Sequence, residues 1–140
     1  MARIFAAALV AITLAVSSCH NPAPPLYPTK AVVEVAAVAK VAIKEIDVDI
    51  VEMTVWNNGN SPMVIDRDAI VLVTRTGPRT RLPGGVAHSY TLEPGAAREV
   101  NVRFDWRGLA PGDTVQIKLD TALTIFGKPI PIAPLEIVVR

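Results

Sequence analysis

Apolar and polar residues alternate with a period of two through most of the chain after position 30. The pattern is clearest in residues 98–106, where every second residue is apolar: Val100, Val102, Phe104 and Trp106. Residues 115–123 repeat it with Val115, Ile117, Leu119 and Leu123. A strand with one apolar and one charged face is typical of an antiparallel sheet that packs on one side. We predict strands in both stretches and expect Phe104 and Trp106 to be the heaviest core residues.

The same period predicts further strands earlier in the chain. Residues 31–43 carry apolar side chains at every odd position, which favours one strand, although their Ala, Lys and Glu content also fits an amphipathic helix. Residues 46–50 alternate, and the apolar positions then change parity at Val51, which predicts a β-bulge. Further strands are expected at 63–66, 70–74, 86–92 and 135–139, separated by turns rich in Gly, Pro and Asn.

Together these stretches give about seven or eight short strands with turn signals every 8–15 residues. This spacing is the signature of an all-β fold, an antiparallel β-sandwich of immunoglobulin-like size. Cys19 is the only cysteine in the chain, so packing of the core has to hold the sheets together without an internal disulfide.

The first 18 residues have the pattern of an export signal. Arg3 supplies a positive charge, and the uncharged residues 4–16 follow. Thirteen residues are too few to span the hydrocarbon core of a bilayer, which takes about 20, but they suit the apolar part of a signal peptide. We therefore predict a signal peptide over residues 1–18.

The run Val16-Ser17-Ser18-Cys19 resembles the lipobox of bacterial lipoproteins. The resemblance implies cleavage before Cys19 and acyl chains, such as palmitate, on its sulfur and α-amine. Two or three chains would anchor the protein stably in a membrane. His20 occupies the place where an aspartate signals inner-membrane retention, so the resemblance points to the outer membrane, facing the periplasm. An ordinary signal peptide with a cysteine near its end is the alternative, and it would favour paired cysteines.

Residues 19–29 are predicted to form a tether between the lipidated cysteine and a domain at 30–140. Four prolines lie between positions 22 and 28, which excludes helix and favours an extended chain of roughly 20–25 Å. In the alternative interpretation this segment packs along the domain as an edge segment, with Tyr27 as its anchor.

A second resemblance covers about residues 46–106. The run from Glu52 to Gly59, then Pro62, Ile65-Asp66 and Leu92-Glu93-Pro94-Gly95 before Phe104, is similar to small immunoglobulin-like domains of bacterial lipoproteins. These motifs are patterns of strands and turns. The resemblance therefore implies a fold and no activity.

The charge balance argues against two classes of partner. Removing the first 18 of the 140 residues leaves 122, with 13 Lys and Arg against 13 Asp and Glu. A neutral chain lacks the basic excess that general binding to nucleic acid or to anionic lipid surfaces requires.

His88 is the one candidate for a catalytic base in the predicted domain. A hydrolase needs a nucleophile, a base and an orienting acid, and His88 is the only imidazole inside the domain. We expect His88 to be half-buried and hydrogen-bonded within a sheet, and we predict no catalytic residue, no cofactor and no enzyme activity.

Three other groups of residues are weighed as binding sites. Asp47 and Asp49 on one strand face, with Asp66 and Asp68 near a turn, supply ligands of the type that calcium prefers, although a solvated acidic face explains them too. Met53, Met63 and His88 supply copper ligands, but they lack the spacing of a copper site. The basic tip, Arg75, Arg79 and Arg81, could hold an anionic ligand or be a solvated loop.

The function hypothesis is therefore a non-enzymatic, membrane-anchored lipoprotein of the bacterial envelope, with a protein-binding or structural β-sandwich. A periplasmic copper- or calcium-binding protein is the alternative.

Overall fold

In a computed structural model, which describes residues 26–85 and 87–139, the chain is all-β. The strands are β1 (Leu26–Lys30), β2 (Val32–Val35), β3 (Ala39–Asp47), β4 (Ile50–Asn57), β5 (Met63–Asp66), β6 (Val71–Thr74), β7 (Gly77–Thr80), β8 (Ser89–Leu92), β9 (Ala97–Arg103), β10 (Thr114–Lys118), β11 (Leu123–Ile125), β12 (Lys128–Pro129) and β13 (Leu135–Val139). A 3-10 helix, Arg67–Ala69, joins β5 to β6. None of the described segments is a helix long and apolar enough to cross a membrane.

The strands form three sheets in which every hydrogen-bonded pair is antiparallel. One sheet has the order β1-β13-β10-β6-β7, the second β12-β11-β5-β8 and the third β2-β3-β4-β9. The same two chain segments connect the first two sheets, because β5 and β6 follow each other in the chain and pair with β11 and β10, which also follow each other. The predicted antiparallel β-sandwich is therefore confirmed, with thirteen strands in the described residues where the sequence predicts about seven or eight.

One hydrophobic cluster takes side chains from all three sheets, among them Val41 and Met53 from the third sheet, Ile117 from the first and Leu123 from the second. Alternation with a period of two places these residues in the core. Buried and half-buried side chains alternate strictly along β4 and along β13. Phe104 and Trp106 belong to the cluster at 0% and 4% exposure, as the sequence predicts. Their rings pack edge to face, with centroids 6.2 Å apart and planes at 84°.

The single strand predicted for residues 31–43 is wrong, because the chain turns at residues 36–38 and forms the β2–β3 hairpin. The odd residues remain on one face through the turn: Val33, Ala39 and Val41 are all buried. Ala36 and Ala37 have φ of 40° and 57°. A left-handed conformation costs a residue with a side chain about 1–2 kcal/mol, so the sequence carries no local sign of this turn.

The predicted β-bulge between residues 50 and 51 is a turn as well. The two-residue loop Val48-Asp49 connects β3 to β4, with Asp47 paired to Ile50, and this loop causes the change of parity. Val48 has φ of 52° and is 66% exposed, an unusual conformation for a β-branched residue. A register shift does occur in β3, between Ile43 and Glu45.

The domain begins inside the segment that the sequence assigns to the tether. Leu26–Lys30 form β1, which pairs with β13 at the edge of the first sheet, so the edge-segment alternative describes these residues. The signal peptide of residues 1–18 and the tether up to residue 25 lie outside the described residues.

Candidate functional site

Three side chains from separate candidate groups meet at one corner of the sandwich. Asp68 lies in the 3-10 helix, Arg81 follows β7, and His88 precedes β8. Arg81 Nε donates a hydrogen bond to Asp68 Oδ1. His88 Nδ1 lies 3.0 Å from Asp68 Oδ2 and 3.0 Å from Arg81 Nη2. The pairing of β6 with β7 and of β5 with β8 brings these residues together from distant parts of the sequence.

Local structure fixes the Asp68 carboxylate at this corner. The Asp66 side chain caps the 3-10 helix by accepting a 2.9 Å hydrogen bond from the backbone nitrogen of Asp68. The hydrogen bond from Arg81 is the main cause that holds the pKa of Asp68 below its ordinary value, and the contact with His88 acts in the same direction. Asp68 is therefore ionised at neutral pH and serves as a fixed acceptor for both neighbours.

The expectation of a half-buried His88 within a sheet is wrong. The His88 side chain is 78% exposed and lies in the loop before β8. Its ring contacts Asp68 and Arg81. The exposed imidazole therefore belongs to a surface cluster with one carboxylate and one guanidinium.

Two arginines bind the loop residues 82–85 and 87–88, which lie beside this cluster. Arg81 Nη1 donates to the carbonyl of Gly84 at 3.0 Å, and the Arg81 side chain is only 9% exposed. Arg67 is 7% exposed and donates to the carbonyls of Ala87 at 2.8 Å and Asn101 at 2.6 Å. Gly85 has φ of 91°, and a Cβ there would lie 2.6 Å from Arg67 Nη1, so a side chain in the predicted Pro-Gly-Gly break would be strained and would displace the Arg67 guanidinium.

A shallow groove of about 710 Å³ lies between β7 and the segment that follows β9. Its lining consists of Pro78, Arg79, Thr80, Asp105, Arg107 and Gly108. Arg79 Nη1 donates to the carbonyls of Asp105 at 2.6 Å and Arg107 at 2.8 Å. These two bonds hold the Arg79 guanidinium in a defined orientation without neutralising its charge.

Asp105 and Arg107 form an ion pair at the rim of this groove. Arg107 donates from Nε at 2.9 Å and from Nη2 at 2.7 Å to the two carboxylate oxygens of Asp105. Together with a hydrogen bond from its own backbone nitrogen, Arg107 lowers the pKa of Asp105 to about 2. The Arg107 side chain is 91% exposed. Asp105 therefore stays ionised and orients Arg107 over the groove.

The basic tip predicted from Arg75, Arg79 and Arg81 is divided among three environments. Arg75 is exposed in the β6–β7 turn, Arg79 lines the groove, and Arg81 is bound to Asp68. Arg107 belongs to none of the residue groups predicted from the sequence. The alternation that places Asp105 on the polar face of its stretch was the available signal, because Arg107 follows at the next position of that face.

The residues considered for metal binding occupy different environments. Met53 and Met63 are fully buried in the hydrophobic cluster, whereas His88 is exposed. Asp47 ends β3 and Asp49 lies in the turn, so they do not share one strand face as predicted. Among residues 26–85 and 87–139, no group of three or more His, Cys, Asp or Glu side chains has the arrangement needed to hold a metal ion. Cys19, the predicted lipidation site, lies outside the described residues.

Comparison with known proteins supports the fold. No family model matches the sequence, and no curated protein matches it. The structure is similar to the crystal structure of YcdA, a candidate lipoprotein from Bacillus subtilis, with a TM-score of 0.60 at 15% sequence identity. The similarity covers 76% of this chain and 38% of YcdA, so this chain spans less than half the length of that protein. At this level of identity the similarity shows a shared fold.

Proposed function

We propose that this chain is a lipid-anchored, non-enzymatic protein of the bacterial envelope, with an immunoglobulin-like β-sandwich that binds a protein partner. Two facts support the anchoring part. The sequence Val16-Ser17-Ser18-Cys19 has the lipobox pattern, and the domain shares its fold with a candidate bacterial lipoprotein. Acyl chains on Cys19 would hold the chain in the membrane, and His20 favours the outer membrane, with the domain in the periplasm.

One residue carries the protein-binding part. Phe126 occupies the two-residue turn between β11 and β12 and is 82% exposed. Its φ is 51° and that of Gly127 is 71°, which is the pattern of a type I′ turn. Such turns favour Asn-Gly. A phenylalanine at this position gains no free energy from burial, and its backbone conformation is unfavourable for a residue with a bulky side chain. Strain of this kind is found most often where function retains the residue.

A row of uncharged residues crosses the second sheet beside the Phe126 turn. Register places four residues side by side across the second sheet: Thr91 opposite Val64, Val64 opposite Thr124 and Thr124 opposite Pro129. Val64 is 40% exposed. This row and Phe126 form the docking face of our proposal, and its aromatic anchor would enter an apolar pocket of the partner.

Strand register sets the position of the docking face relative to the start of β1. The start of β1 is level with the start of β10, because Leu26 pairs with Val139 and Thr114 with Val138. Phe126 follows β11, which pairs with β5 as β10 pairs with β6, so Phe126 lies at the end of the segment 114–126 away from the start of β10. The domain would therefore present Phe126 away from the membrane in which Cys19 is held.

A Phe126→Asn substitution separates binding from folding. We expect the free energy of unfolding to rise by about 1 kcal/mol, because Asn-Gly suits a type I′ turn better than Phe-Gly. Denaturant unfolding measures this effect. A photo-crosslinking amino acid at Thr91 should give a defined adduct in cells that disappears in the Phe126→Asn background. The same amino acid at Thr76, in the β6–β7 turn, is the control and should give no such adduct. An adduct that persists without Phe126 would contradict the proposed docking face.

A Cys19→Ala substitution tests the anchor. We expect the protein to move from the membrane fraction to the soluble fraction, because the thiol that accepts the acyl chains is gone. Fractionation followed by mass spectrometry of the mature N-terminus measures both location and acylation. The parent chain should sediment with outer-membrane markers, and a His20→Asp variant should shift towards the inner-membrane fraction. If the alanine variant remains in the membrane as the parent does, the chain is not held by lipid on Cys19.

A further inference from the structure

We propose that the groove between Arg79 and Arg107 binds a phosphate group, carried either by a membrane lipid or by a soluble phosphate ester. The groove is lined by two guanidinium groups and one carboxylate, so its lining carries a net positive charge although the mature chain is neutral. Guanidinium groups match the oxygen geometry of phosphate, because their planar N–H donors form paired hydrogen bonds with it.

Arg79 is held ready for such a ligand. Its Nη1 is used by the carbonyls of Asp105 and Arg107, and no hydrogen bond to its Nε or Nη2 is found within the described residues. The two carbonyls orient the guanidinium without an ion pair at hydrogen-bond distance, although the nearby Asp105 carboxylate offsets part of its charge. A donor group that is already fixed loses little conformational entropy when it binds an anion.

Arg107 supplies the second group from the opposite wall. Its Nε and Nη2 are bonded to Asp105, which fixes the plane of the guanidinium, while Nη1 has no hydrogen-bond partner in the part of the chain that the structure describes. Thr80 also lines the groove and is exposed, so its hydroxyl can donate to a phosphate oxygen. The arrangement thus offers donors from two chain segments to one anion.

Nuclear magnetic resonance of the full chain, with its lipid anchor in nanodiscs, tests the site. In nanodiscs of neutral phosphatidylcholine, added inorganic phosphate should shift the Nε–H signals of Arg79 and Arg107 in a saturable way, with a Kd on the order of 1 mM. Arg107→Gln should weaken binding by about tenfold. The Arg107 side chain is exposed, so the variant should fold as the parent does. Arg75→Gln is the matched control, because Arg75 lies in the adjacent turn outside the groove, and its affinity should stay within about twofold of the parent.

Nanodiscs that contain anionic phosphatidylglycerol distinguish the two sources of phosphate. If the lipid headgroup is the ligand, the two arginine signals should already be shifted there, and added phosphate should have little further effect. If a soluble phosphate ester is the ligand, the signals should be unshifted in these nanodiscs and should respond to glycerol phosphate. The proposal is overturned if neither arm shifts the two signals, if sodium chloride at equal ionic strength gives the same response, or if Arg107→Gln binds phosphate as the parent does.

Discussion

Replacing Phe104 with alanine is expected to lower the free energy of unfolding by about 3–5 kcal/mol. Phe104 is fully buried, and its ring packs edge to face against Trp106. The hydrophobic cluster around it takes side chains from all three sheets, so the cavity left by the ring would lie where the sheets join. The chain has a single cysteine and therefore no internal disulfide to compensate. Domains of this size are stable by only about 5–15 kcal/mol, so the loss would be a large fraction of the free energy of unfolding.

Denaturant unfolding of the parent and of two variants at Phe104 measures this effect. Phe104→Leu keeps most of the apolar volume and should lose about 1–1.5 kcal/mol, much less than alanine. If the leucine and alanine variants lose the same free energy of unfolding, the contribution of Phe104 depends on the shape of its ring and not on its apolar volume. A loss below 1 kcal/mol for alanine would show that the segment after β9 does not close the core.

The strands predicted best from the sequence are those with one apolar face and one charged face. In 98–106 and 115–123 the alternate apolar residues are all buried, since a charged residue between two apolar ones leaves only one way to place the strand. The all-β class and the antiparallel sandwich follow from the same alternation. The turns at 57–62 and 108–113 were equally visible, because they contain Gly, Asn and Pro.

The two hairpins at the start of the third sheet were missed for one physical reason. Their turns use Ala36, Ala37 and Val48 at positive φ, residues that locally disfavour this conformation. Paired strands on either side of each turn stabilise it: Val33 pairs with Val41, and β3 pairs with β4 along its length. The free energy gained from strand pairing and burial thus outweighs the cost of positive φ at these three residues. A local sequence pattern contains only the cost.

The sequence identified residues of the candidate sites one by one, but it did not predict which of them lie together in the fold. Asp68, Arg81 and His88 were each considered in a different group, and only the pairing of β5 with β8 and of β6 with β7 brings them together. The groove depends in the same way on contact between Arg79 and a segment more than 20 residues later. Contacts of this kind follow from topology, which no local pattern contains. Cys19 is the opposite case, because its chemistry depends on neighbours in the sequence alone.

Asn57 joins two loops at one end of the sandwich. Its side chain is fully buried, and its amide nitrogen donates to the carbonyls of Ser61 at 2.8 Å and Leu92 at 2.9 Å. Its side-chain oxygen accepts from the backbone nitrogen of Gly59 at 3.1 Å. The backbone of Asn57 also bonds with Gly95 and Ala96, in the turn before β9. One residue thus fastens the loop after β4 to both the end of β8 and the following turn.

Asn57→Asp is therefore expected to cost about 3 kcal/mol or more at neutral pH, although the two side chains have nearly the same shape. The carboxylate has no N–H for the carbonyls of Ser61 and Leu92, and it places a buried negative charge against them. Burial should raise the pKa of the introduced carboxyl above its unfolded value, so the folded state binds the proton more tightly. The loss should then be smaller at pH 4 than at pH 7, because protonation removes the buried charge.

Denaturant unfolding of Asn57→Asp and of the neighbouring Asn58→Asp, at both pH values, separates this effect from a general effect of added charge. Asn58 is exposed and bonds to Val38 only through its backbone nitrogen, so its variant should stay within about 0.5 kcal/mol of the parent. Equal stabilities for the two variants would show that the buried amide does not hold the loops. A deficit at position 57 that is independent of pH would assign the loss to the missing N–H donors alone, because a buried charge has to respond to protonation.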